Sequence, residues 1–110
     1  MENRRRSFRT NLDTEVWIGQ DGIFTRTKER LTNLSAGGAF VETAEGFSVG
    51  SVLSLRFRLP DNDAFITCAA IVRNLSVGYG MGVEFLDLSR ANRAYIAELI
   101  DRALAGPAPR

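Results

Sequence analysis

The chain has 110 residues, 45% of them hydrophobic, and a formal net charge of +1 from 14 Lys and Arg against 13 Asp and Glu. That length builds one small domain with a single core and excludes a second. The near-neutral balance excludes a broadly basic nucleic-acid binder, whose affinity comes from many phosphate contacts.

No stretch of about 18 apolar residues is present, and no apolar secretion segment follows the arginine-rich N-terminus. The expectation is a soluble, cytoplasmic protein without membrane insertion. The positive charge is local: Arg4, Arg5, Arg6 and Arg9 stand against Glu2 alone in the first ten residues, and the rest of the chain is slightly acidic. Residues 1–13 read as a flexible basic arm.

Beyond the arm, short runs bounded by turn residues predict β-structure. Residues 14–18 form the first strand, and Gln20-Asp21-Gly22 a turn. A long, mainly polar strand over 23–34 leads into Asn33-Leu34-Ser35-Ala36-Gly37-Gly38. A short strand covers 39–43, and a loop with Phe47 comes next. In 52–59, Leu53, Leu55, Phe57 and Leu59 alternate with Ser54, Arg56 and Arg58, the period-two pattern of a half-buried strand.

Pro60-Asp61-Asn62-Asp63 ends that strand as a turn rather than a metal pair, since no third ligand accompanies the two carboxylates. Residues 64–75 place Ile66, Cys68, Ala70 and Val72 on one face and Phe65, Thr67, Ala69, Ile71 and Arg73 on the other. Met81, Val83 and Phe85 line one face of a last strand. From Ser89, a candidate N-cap, the period becomes helical, with Ile96, Leu99, Ile100, Ala103 and Leu104 in one stripe. Gly106, Pro107 and Pro109 mark its end, so the helix spans 89–105 and 106–110 form a disordered tail. Six strands and one helix indicate an all-β class with a closing helix over a barrel at 14–88.

Several chemistries are disfavoured. There is no histidine to act as a base near neutral pH, no Cys- or His-rich metal pattern, and no phosphate-binding Gly-Lys-Thr loop. The single cysteine, Cys68, lies in an apolar run and reads as a small buried thiol. Trp17 reads as core or barrel-edge packing. A barrel binding single-stranded nucleic acid wants aromatics on an exposed basic face. Most aromatics here fall at alternating or glycine-flanked core positions, so a nucleic-acid polymer is not an expected partner. The expectation is a non-enzymatic protein without cofactors.

Two motifs carry the chemistry. Arginine presents a planar fork that grips phosphate bidentately and stacks on a base. Asn, Ser and Gly make a tight polar turn that lets a ligand come close to the backbone. Arg5-x-x-x-Arg9 followed by Asn33-x-Ser35-x-x-Gly38 resembles the paired signature of the PilZ domain, the bacterial receptor module for cyclic di-GMP. The run from Gly80 through Phe85 to Ser89, with its helical tail, is similar to the family's closing strand and C-terminal helix. The resemblance covers about residues 4–104.

It implies a six-stranded antiparallel Greek-key barrel and a switch in which the arm folds over cyclic di-GMP. Arg5 and Arg9 bind phosphate and stack on guanine. Asn33, at a position more often Asp in the family, accepts a guanine amine more weakly than a carboxylate does. Ser35 contacts the ligand by its hydroxyl, and Gly38 keeps the surface clear for the base. Arg4, Arg6, Gly37 and Arg73 are flanking candidates. The docked arm then offers a new surface to an unidentified regulatory protein partner in motility, biofilm or polysaccharide control. The alternative is an adaptor that keeps the barrel without binding nucleotide; such relatives typically lack the arginine motif.

Overall fold

Alternation of apolar and polar side chains builds nearly all of this molecule. In a computed structural model, the described residues are 14–21, 23–59 and 65–105, without the side chains of 25–28 and 103–105. The expected arm with Arg4, Arg5, Arg6 and Arg9, the turn with Asp61 and Asp63, and the tail 106–110 lie outside them.

The strands are β1 (Thr14–Gln20), β2 (Ile23–Thr32), β3 (Gly38–Glu42), β4 (Val52–Arg58), β5 (Phe65–Ser76) and β6 (Gly80–Phe85), followed by helix α1 (Arg90–Ala105). Each expected strand is found within a few residues of its predicted bounds. The alternation in β4 is obeyed, with Leu53, Leu55 and Phe57 buried and Arg56 and Arg58 exposed. Ile66, Cys68, Ala70 and Val72 of β5 point inward in the same way.

All neighbours are antiparallel, and the order β1-β2-β3-β6-β5-β4 closes on itself through the β1–β4 pairing. The connectivity is Greek key: β1, β2 and β3 are consecutive neighbours, and the long β3–β4 connection returns the chain to the free side of β1. Closure leaves no free edge among these six strands to template aggregation.

One core fills the barrel and continues under the helix. Val16, Ile18, Leu31, Val41, Leu55, Phe57 and Val72 are fully buried within it, and Phe57 stacks with Phe85 at 5.9 Å between ring centroids. Ile96, Leu99 and Ile100 bring the apolar stripe of α1 into the same cluster. Ser89 caps the helix as expected, its Oγ accepting from the Asn92 N–H at 3.0 Å. No helix among the described residues is long and apolar enough to cross a membrane.

The aromatics depart from expectation. Phe57 and Phe85 are core residues, but Phe65 and Tyr79 are exposed and Trp17 is only half-buried. Trp17 meets Phe65 edge-on at 5.3 Å on the outside of the barrel, because it alternates with the inward Val16 and Ile18.

Candidate functional site

The turn joining β2 to β3 is built by its own side chains. Asn33 adopts φ 55°, a left-handed conformation that asparagine tolerates better than most residues. Ser35, 2% exposed, organises the remainder of the turn. Its Oγ donates to the Gly38 carbonyl and accepts from the N–H groups of Gly37 and Gly38, each at 3.2 Å, while its own N–H donates to the same carbonyl at 2.8 Å.

Contacts from distant segments hold the turn in place. The Gly37 carbonyl accepts from the Phe85 N–H at 2.9 Å. The Ala36 carbonyl accepts from Arg93 Nη1, on helix α1, also at 2.9 Å. Gly38 enters β3 opposite Glu84, where a Cβ would stand 2.1 Å from the Val83 carbonyl oxygen.

Beside this turn lies a groove of about 490 Å³ on the outer face of β3, β6 and β5. Asn33, Gly37, Gly38 and Phe40 line one side, and Arg73, Asn74 and Glu84 the other. Arg73 owes its place to a β-bulge: Val72 pairs with Val83 and Asn74 with Gly82, leaving Arg73 as the extra residue. Its Nε donates to Glu84 Oε1 at 2.6 Å in a solvent-exposed ion pair. Such pairs stabilise by at most about 1 kcal/mol, so an anion in the groove can compete for the guanidinium. Asn74 Oδ1 accepts from the Gly82 N–H at 3.2 Å, which fixes that side chain along the wall.

The structure thus gathers Asn33, Ser35, Gly37, Gly38 and Arg73 around one groove, although Arg73 is 40 positions from Asn33 in the chain. Two roles differ from expectation. The Ser35 hydroxyl, expected to reach a ligand, is buried and spends its donor and both acceptor positions inside the turn. Gly38, expected to spare a base, is required by the close approach of β6; Gly37 is the glycine facing open space.

Sequence reasoning missed Phe40, Asn74, Glu84 and Arg93. Phe40 and Glu84 carried a signal, since each alternates with buried neighbours and must point outward. Asn74 follows the bulge, and Arg93 acts from 57 residues away, so neither had a local cue. No metal-holding group of His, Cys, Asp or Glu occurs among the described residues.

The PilZ domain family model matches residues 3–102. The Bacillus subtilis inhibitor of motility (MotI/DgrA) is similar over 98% of this chain and 55% of its own, with TM-score 0.80 and 25% identity. The PilZ domain of YcgR from Escherichia coli, solved with c-di-GMP, has TM-score 0.67 and 17% identity over 94% of this chain and 95% of its own. The PilZ domain of CeSA from a cellulose-synthesizing bacterium has TM-score 0.57 and 17% identity over 84% and 94%. No curated protein sequence matches the chain. A barrel of this topology, a turn built on Asn33-x-Ser35-x-x-Gly38 and a family match spanning all six strands lead to one conclusion: the chain belongs to the PilZ domain family.

Proposed function

We propose that this chain is a cyclic di-GMP receptor that regulates a protein partner in the cytoplasm. The dinucleotide lies in the groove beside Asn33, Gly37 and Phe40, and Arg5 and Arg9 close over it from the N-terminal side. Asn33 offers a carbonyl oxygen to a guanine amine, Phe40 an aromatic face to a base, and Arg73 a guanidinium that exchanges Glu84 for phosphate. Ser35 and Gly38 shape the floor, while Arg4 and Arg6 add positive potential.

One observation carries this reading: the strand end to which residues 1–13 lead lies beside the Asn33 turn. Thr14 pairs with Leu31, two residues before Asn33, so the arm joins the barrel close to the turn. Neighbouring strands are about 4.8 Å apart. The five residues from Arg9 to Thr14 span up to about 17 Å when extended, enough to cross from β1 to the β3 side of the groove. The YcgR PilZ domain, of the same fold, was solved with c-di-GMP. Ordering the arm costs roughly 1–2 kcal/mol of backbone entropy per residue, so ligand and arm dock together and the joined surface is what a motility or polysaccharide component reads.

Isothermal titration calorimetry with cyclic di-GMP tests this, on the intact chain and on Arg5→Ala/Arg9→Ala, with GTP as control. The expected result is micromolar or tighter binding, about −8 kcal/mol, that is lost in the double variant. No heat from the intact chain assigns it instead to adaptors that keep the barrel without nucleotide.

A further inference from the structure

The side of the barrel away from the groove carries a second cluster. In the closed order, β1 and β4 lie opposite β6 and β3. On their outer face Trp17 pairs across strands with Arg56, and Arg58 with Phe65 of β5. The Arg56 guanidinium lies 4.3 Å from the Phe65 ring centroid and that of Arg58 5.7 Å from it, with Trp17 edge-on to the same ring. Beside them a cleft of about 270 Å³ is lined by Thr14, Glu15, Trp17, Arg30 and Arg58.

The chemistry here is lopsided. Arg56 and Arg58 stand together on this face of a chain whose whole net charge is +1. Arg56 and Arg58 pair with no carboxylate among the described residues; their contacts are with Phe65. Two like charges gathered on one ring repel each other, and an anion between them relieves that repulsion. The cation–π contacts with Phe65 hold both guanidinium groups near the ring, which lowers the entropy lost when they bind. Arg and Trp are also the side chains most often found as anchors in protein interfaces.

We infer that the outer face of β1 and β4, centred on Arg56, Arg58 and Trp17, is a docking surface for an acidic segment of a partner protein. Carboxylates engage Arg56 and Arg58, and an apolar side chain packs on the exposed parts of the Trp17 and Phe65 rings. The cleft is smaller than the groove on the other side and suits one side chain better than a nucleotide. The surface begins at Thr14, where the arm leaves the barrel, yet this inference stands independently of nucleotide binding.

Trp17 is the single tryptophan, so its emission reports on this face alone. The probes are a short peptide rich in Asp and Glu with one central Phe, its Lys-substituted counterpart, and an oligothymidylate of matched negative charge. The acidic peptide is expected to shift Trp17 emission at low salt, about tenfold more weakly at high salt, with the Lys peptide silent. Arg56→Ala/Arg58→Ala, both exposed positions, is expected to remove the response while circular dichroism is retained. If that variant fails to fold, amide chemical shifts of the intact protein must map the peptide to β1 and β4. An unchanged Trp17 signal, or an equal one in the double variant, overturns the inference and leaves a cluster that only stabilises the barrel. Tighter binding of oligothymidylate through the same arginines overturns it in favour of nucleic acid. Dimerisation lost in the variant, seen by sedimentation, overturns it in favour of a second copy.

Discussion

Gly37 and Gly38 sit side by side and do different work. A methyl group on Gly38 meets the Val83 carbonyl oxygen, which belongs to the backbone of β6 and cannot swing away. Gly38→Ala is therefore expected to cost about 2–3 kcal/mol of stability, the upper range for forcing atoms into packed structure. A methyl group on Gly37 would meet nothing within 4 Å, so Gly37→Ala is expected to lie within about 0.5 kcal/mol of the parent. In the proposed binding mode the same methyl obstructs the groove and weakens cyclic di-GMP. Urea unfolding and calorimetry on the two variants separate the effects; equal stability losses would contradict this division. The glycines were visible in the sequence as a turn. Which one faces solvent depends on where β6 passes.

Helix α1 acts on the site at the scale of an element. Its apolar stripe was legible from spacing, because Ile96, Leu99 and Ile100 recur at helical period and bury one face. Its polar face holds Arg93, whose Nη1 donates to the Ala36 carbonyl. The bond is exposed, so Arg93→Ala is expected to cost less than about 1 kcal/mol of stability. The turn nevertheless loses its tie to the helix, and cyclic di-GMP affinity is expected to fall severalfold, with Arg93→Lys recovering part of it. Calorimetry beside thermal unfolding checks this; unchanged affinity would limit Arg93 to the surface. Strand β5 gives the converse case. Its alternation correctly placed Ile66 to Val72 and put Arg73 on the outer face, but the bulge between Val72 and Asn74 breaks the period, so Asn74 is exposed as well and lines the groove. A bulge is an agreement between two strands, so one strand's pattern does not announce it.

At the scale of the whole molecule, closure makes the barrel open as a unit. Cys68 is buried on β5, between β4 and β6, and that strand has no free edge from which to fray. Burial, helped by repulsion from Asp87, raises its thiol from the ordinary 9.0 to about 12. The raised value fixes the sign: the neutral thiol's contribution is complete below about pH 9 and is lost as pH rises toward 12. At about pH 8, below that range, alkylation of Cys68 is expected to follow global unfolding in urea; rapid labelling of the native protein would show local opening instead. Composition and periodicity by themselves determined the β-rich class, the six strands, the inward faces and the closing helix, because alternation and helical spacing are local consequences of burying one face. The two motifs in order pointed to the family. The rest depends on which strands become neighbours. Only strand pairing brings Arg73 to the groove of Asn33, and only tertiary packing ties Arg93 to Ala36 and leaves Trp17, Arg56, Arg58 and Phe65 together on the outside. The Arg93–Ala36, Arg73–Asn33 and Trp17–Phe65 neighbours are far apart in the chain, and their geometry exists only once the strands have paired and the helix has docked.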